Sequence, residues 1–152
     1  MNTQPASDAA TRSTGVFVNL PVADLQRSIA FFSALGFRFD PRFTDENATC
    51  LVLGENQHAM LLTRDYFAGF APGQRVGDPA QGSQVLVAIA LQDRATVERL
   101  AETALANGAS RFRPAQDLGF MYQDAFQDPD GHVWELFHMD MAAFEAMQQG
   151  GQ

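Results

Sequence analysis

The chain has 152 residues, 46% hydrophobic and 18% charged, which is long and apolar enough for one well-buried domain. Eighteen acidic residues against ten basic ones leave a net charge of -8, so a phosphate backbone is repelled and nucleic acid is excluded as a partner. The single cysteine, Cys50, forbids an internal disulfide; its apolar neighbours Ala48, Leu51 and Val52 mark it as a buried, idle thiol suited to a reducing cytoplasm.

Residues 1–13 are small and polar, lack the apolar centre of a signal peptide, and read as a disordered tail. No apolar run is long enough to span a bilayer, so no membrane partner is expected. Val16 to Val22 is β-branched and bounded by polar residues, a strand. Asp24 then offers a cap to a helix whose apolar face is Leu25, Ile29, Phe32 and Leu35 and which closes at Gly36. A short strand is expected at Phe37 to Phe39. Ala48 to Leu53 and His58 to Thr63 flank the turn-forming Gly54-Glu-Asn-Gln57 and predict a hairpin. Tyr66-Phe-Ala-Gly-Phe70 reads as an aromatic loop able to cover a cleft or to cap the hydrophobic core. Residues 71–83, with two prolines and several glycines, read as a linker.

The second half repeats the order of the first. Val85 to Leu91 is a strand, Asp93 a cap, and Val97, Leu100, Ala101, Ala104 and Leu105 an apolar helical stripe ending at Gly108. Ser110 to Arg113, Gly119 to Phe126 and Val133 to His138 supply further strands, the last two joined by the turn Asp128-Pro-Asp-Gly131. Met141 to Met147 predicts a short C-terminal helix. Duplication of one unit is the economical account.

Two stretches, Asp24-Leu-Gln-Arg-Ser-Ile-Ala-Phe-Phe-Ser-Ala-Leu-Gly36 and Asp128-Pro-Asp-Gly-His-Val-Trp-Glu-Leu136, resemble the opening and closing signatures of the vicinal oxygen chelate superfamily. That superfamily holds glyoxalase I, extradiol dioxygenases and the bleomycin- and fosfomycin-resistance proteins. The resemblance implies an α+β fold of two paired βαβββ modules whose curved half-sheets surround a central cleft, in a homodimer. It divides the chain into a single domain over 14–140, with module one at 14–70, the linker at 71–83 and module two at 84–140, followed by a helix and tail over 141–152.

Metal-dependent relatives carry ligands at four strand positions, which the resemblance carries onto Phe17, Leu61, Val87 and Glu135. Three of the four are hydrocarbon, and one carboxylate does not hold a divalent ion against water. No metal and no other cofactor is therefore expected, the divalent ion staying as the alternative. Counted by alternation from Glu135 and Leu61, His132, His138 and His58 point away from the cleft, as solvent-edge or helix-facing residues.

Alternation also supplies a candidate binding wall. If Gln127 pairs with His132 across the turn, Asp124 lies opposite Glu135 and Tyr122 opposite Phe137, all on the cleft side; a shift of one residue removes this arrangement. Phe17, Pro21, Leu61, Val87, Ile89, Leu91, Phe126 and Phe137 complete an apolar wall, with Asn19 as an added polar group. Two facing carboxylates would attract a cationic or hydrogen-bond-donating ligand. The expectation is a metal-independent binder of a small, partly apolar, cationic molecule, with Glu135 the best catalytic candidate if there is one. The alternative kept from the resemblance is a metal-dependent lyase, isomerase or extradiol-type dioxygenase.

Overall fold

Asp24 and Asp93 occupy the positions on which the two halves are built. In the computed structural model, which describes residues 10–150, each caps a helix with its side chain: Asp24 accepts the Arg27 amide at 3.1 Å and Asp93 the Thr96 amide at 2.8 Å. Most of the expected disordered tail, residues 1–9, and the last two residues, 151–152, lie outside the described residues.

The first half runs β1 (Val16–Val22), α1 (Leu25–Ala34), β2 (Arg38–Asp40), a 3-10 turn (Pro41–Phe43), β3 (Ala48–Val52) and β4 (Gln57–Thr63). A further helix, α2 (Arg64–Phe70), follows where a loop was expected. Seven residues are too few to show a helical period, and α2 gains its support by packing on β1 and β4 rather than from its own sequence. After residues 71–85 the second half runs β5 (Leu86–Ala90), α3 (Arg94–Ala106), β6 (Ser110–Asp117), β7 (Met121–Gln127) and β8 (Val133–Met139), and ends in α4 (Met141–Gly150). β6 extends four residues beyond the expected Arg113, through two shifts of register. The order is β1-β4-β3-β2 in one four-stranded sheet and β5-β8-β7-β6 in the other, with the first pair of each parallel and the rest antiparallel. The fold is α+β, two βαβββ units with matching topology.

Each sheet has one face against helices, and those faces share one core. Leu20, Leu51 and Leu61 from the first sheet, Phe31 and Phe32 from α1, Leu100 and Ala104 from α3, and Phe126, Trp134 and Leu136 from the second sheet form a single buried cluster. The halves meet ring to ring, Phe32 against Trp134 at 5.0 Å and Phe31 against Phe126 at 5.8 Å, both edge-on as aromatic quadrupoles prefer. Burying each such ring contributes on the order of 2 kcal/mol.

Polar contacts then fix one half on the other. Asp130, in the turn between β7 and β8, accepts the Ala23 amide at 2.8 Å, Arg27 Nη2 at 3.1 Å and the Ser28 hydroxyl at 3.3 Å, all at the start of α1. His132 Nε2 donates to the Pro21 carbonyl at 2.6 Å. Between these two, Gly131 has φ +99° and lies so close to the linker that a Cβ would stand 2.9 Å from the Ala80 backbone nitrogen. A side chain there is strained twice, by its own backbone conformation and by a neighbour that is itself backbone. Gly131→Ala should therefore destabilise the protein by about 2 kcal/mol or more. Gly69→Ala, inside α2 with no atom within 4 Å of the new methyl group, should not lower the thermal unfolding midpoint; equal midpoints for the two variants would contradict this account.

Candidate ligand-binding site

Strand register decides which side chains share the open face of each sheet. On the first sheet, Asn19, Met60 and Cys50 form one row, Pro21, Leu62 and Ala48 the next, and Phe17, His58 and Val52 the one before. Leu61, expected in the cleft wall, is in the core at 1% exposure, because α1 covers the face that also holds Ala59 and Leu20. His58, expected to point away from the cleft, lies on the open face, where its ring stacks on Phe17 at 4.6 Å and 10°. Its Nδ1 is buried with no hydrogen-bond partner. Phe17 is on the open face as expected, 54% exposed.

On the second sheet, Val87 and Ile89 pair with Trp134 and Leu136, so they face the helices, as do Leu91 and Phe126; the open face takes Ala88 and Ala90. Two residues, Leu91 and Gln92, separate β5 from its capping aspartate, whereas only Ala23 separates β1 from Asp24. Counted from the cap, the two halves nevertheless keep the same faces: seven residues back from Asp24 is Phe17 and seven back from Asp93 is Leu86, both on the open face, whereas Val87, six back, falls on the helix side.

The proposed pairing of Asp124 with Glu135 does not form. Gln127 pairs with Val133, which sets Asp124 opposite Leu136, Ala125 opposite Glu135 and Tyr122 opposite His138. The turn is one residue longer than expected because Asp128 organises it: one carboxylate oxygen accepts the Asp130 and His132 amides at 2.9 and 3.0 Å, the other the Trp134 indole at 3.0 Å. His132 leaves the ladder and is free to reach Pro21. Asp124 is buried on the helix side, both of its oxygens 2.6 Å from Arg111 Nη1. Tyr122 lies on the same side, with the Arg94 guanidinium 4.1 Å from its ring centre. His138 also faces the helices, as expected, and donates through Nδ1 to the Leu91 carbonyl at 3.0 Å. Glu135 and Phe137 keep the open face, and the Glu135 carboxylate is bound by the Arg113 guanidinium.

These placements bear on the metal that the superfamily implies. Phe17 is stacked on a histidine, Leu61 and Val87 belong to the core side, and Glu135 meets a cation of the chain itself. Among the described residues no group of three or more His, Cys, Asp or Glu side chains converges. This donor set does not fit a divalent ion.

What the open face of the first sheet does form is a recess of about 500 Å³. Its floor is Ala48, Met60 and Leu62, with Asn19 at one side. Phe43 comes from the turn before β3, and Tyr66 and Phe70 from α2 after β4. Since β3 and β4 are antiparallel, with Ala48 opposite Leu62, residues just before one and just after the other come to the same end of the sheet. Tyr66 and Phe70 meet edge-on at 5.1 Å, and all three rings remain exposed.

Two charged groups line the recess. Arg42 is held by Asp40 at two points, Nε to Oδ1 at 3.1 Å and Nη2 to Oδ2 at 2.7 Å, a contact that keeps the Asp40 carboxyl below its ordinary pKa. Asp45 meets only backbone, accepting the Asn47 and Ala48 amides at 2.8 and 3.0 Å; no cation of the described residues pairs with it. Cys50, buried beside the recess floor, has its thiol pKa pushed up by desolvation and is no nucleophile. Sequence reasoning found Asn19 and noted Tyr66 and Phe70, but it passed over Phe43 and Asp45. Their signal was position: both directly precede the first strand of the hairpin.

Residues 14–54 match the bleomycin resistance protein-like N-terminal family. No curated protein matches the chain in sequence. Among solved structures, a glyoxalase-related enzyme from Fulvimarina pelagi is similar at a TM-score of 0.70 and 20% identity, over 84% of this chain and 88% of that one. A glyoxalase/bleomycin resistance protein/dioxygenase family enzyme from Burkholderia phytofirmans gives 0.66 and 18%, over 81% and 96%. A fosfomycin resistance protein from Listeria monocytogenes gives 0.61 and 19%, over 84% and 94%. The chain shares its fold with these proteins.

The Asp128 turn yields a pH test. Burial raises the Asp128 pKa above its ordinary value, the nearby His132 and the bonds from Trp134 and His132 opposing that rise. A carboxyl whose folded pKa is raised binds its proton more tightly in the folded state, so the stability it contributes is fully present below the unfolded pKa and is lost as pH rises through the folded one. In urea unfolding between pH 7 and pH 4, the stability lead of wild type over Asp128→Asn should widen as pH falls. A lead that narrows over that range would show the carboxylate to be the preferred form.

Proposed function

We propose that the protein is a metal-independent binder of a small, partly apolar, cationic molecule, held in the aromatic recess of the first sheet. The observation that carries this reading is Asp45, a carboxylate without a cationic partner, set among the exposed rings of Phe43, Tyr66 and Phe70. Ring faces attract cations by their quadrupoles, by about 0.5 to 2 kcal/mol each as water is displaced, and the carboxylate adds a full charge. Arg42 does not cancel it, being paired with Asp40. The net charge of -8 favours approach of a cation at long range. Met60, Leu62 and Ala48 suit an apolar body beside the charge.

The relatives include enzymes by name, and metal-dependent lyase, isomerase or dioxygenase chemistry is the alternative. It would need metal donors where this chain has Phe17, Leu61 and Val87. In this reading Glu135 is structural, tied to Arg113, and no base for a reaction is assigned. The buried free thiol of Cys50 accords with a reducing cytoplasm.

Benzyltrimethylammonium is a suitable probe, having an apolar ring and a fixed positive charge. Calorimetric titration should detect its binding to wild type with equal affinity before and after dialysis against EDTA. Asp45→Asn, which keeps an oxygen for the two backbone amides, should weaken it about tenfold, the equivalent of about 1.4 kcal/mol. Affinity abolished by EDTA, or unaltered in both Asp45→Asn and Tyr66→Ala, would sink the reading.

Assembly is the second part of the proposal. The open faces leave Phe17 and Leu86 about half exposed, and a symmetric dimer would cover such apolar surface. Light scattering at micromolar concentration should give twice the chain mass; a stable monomer would contradict it.

A further inference from the structure

A second cavity, of about 490 Å³, opens where β1, α2, residues 75–85 and the His132 loop meet. Its apolar side is Leu20, Phe67 and Val85, and its polar side includes Arg75, Ser83 and Gln84. It adjoins the aromatic recess, Asn19 lining both, with α2 standing between the two: Tyr66 and Phe70 turn to the recess and Phe67 to this cavity.

In the recess the lining arginine is ion-paired and the aspartate is not; here it is the arginine that has no ion pair among the described residues. All ten basic residues of the chain are arginines, and among the described residues five of them are paired with a carboxylate. Arg75 is not: among the described residues it makes no ion pair and no side-chain hydrogen bond. Arg64, close by at the start of α2, donates to the Val76 and Gly77 carbonyls at 3.1 Å and likewise has no carboxylate. Asp78 is the one acidic group in the lining, and its Oδ1 is engaged by the Ala80 amide. The lining itself thus holds one guanidinium, Arg75, and one carboxylate, Asp78, and Arg64 stands outside it. The side chains of Ser83 and Gln84 add donors that make no hydrogen bond among the described residues.

We infer that this cavity is a second ligand site, for a small carboxylate with an apolar body. The carboxylate is received by the planar fork of Arg75, which matches its two oxygens, and the body lies against Phe67, Leu20 and Val85. The inference is independent of the cation reading, since none of these residues except the shared α2 belongs to the recess.

Benzoate, with neutral benzamide as its control, is the probe. In calorimetric titration or ligand-observed NMR, wild type should bind benzoate at least tenfold more tightly than benzamide. Arg75→Gln should remove that preference, Arg75→Lys should restore part of it, and Asp45→Asn should leave it unchanged. Benzyltrimethylammonium binding to Arg75→Gln reports separately on the recess and on the fold of the variant. Benzoate affinity equal in wild type and Arg75→Gln, no benzoate binding at all, or benzoate lost in Asp45→Asn would each overturn the inference. Loss of ammonium binding alone would instead overturn the function proposed above.

Discussion

The edge-on packing of Phe31 and Phe32 on Phe126 and Trp134 is the contact on which the other features depend. It commits the helix side of both sheets to a single core and thereby leaves the opposite face of each sheet outside that core. The recess forms on one such face, and the Arg113–Glu135 pair on the other. The same packing brings the β7–β8 turn to the beginning of α1, where Asp130 and His132 can act. A stripe of large aromatic side chains on α1 thus determines which residues remain available for ligands.

The sequence was readable wherever a local rule acts alone. Strand, capping aspartate, apolar stripe and terminal glycine could be traced in both halves because each depends on residues within one helical turn of one another. Which face a strand residue occupies depends instead on parity, and parity is lost when one residue is added. That happened at His132, which left the ladder to bond Pro21. That single residue moved Asp124 and Tyr122 from the expected cleft wall to the helix side, and Val87 lies there too because it stands six residues before its cap where Phe17 stands seven before its own. Glu135, Phe17 and Asn19 kept the open face because no such residue intervenes in their counting. The recess was less legible still, being assembled from a turn and a short helix that meet only after the hairpin has folded.

The chemistry that results differs from what the family signature alone would place in this fold. The resemblance led to an expectation of four strand positions at which relatives carry metal ligands. Here Phe17 puts a ring on the open face, Leu61 and Val87 lie on the helix side, and the Glu135 carboxylate is bound by a guanidinium from β6, two strands away. Charge without an internal partner is found elsewhere, at Asp45 beside exposed rings and at Arg75 beside the linker. Both occur on segments flanking the strands, which can change without disturbing the shared core.

The three bonds of Asp130 to Ala23, Arg27 and Ser28 join residues more than a hundred positions apart. During synthesis the first helix is complete long before the turn that anchors its beginning has left the ribosome. Until then Phe31 and Phe32 have no Phe126 or Trp134 to cover them, so the newly made first half presents an aromatic surface to its surroundings. Contacts between such distant residues slow folding, and exposed apolar surface promotes aggregation in the interval. A chain released before the last hairpin would have a cap for its first helix but no cover for its core, which makes the final twenty-odd residues of the domain decisive for recovery of the folded protein.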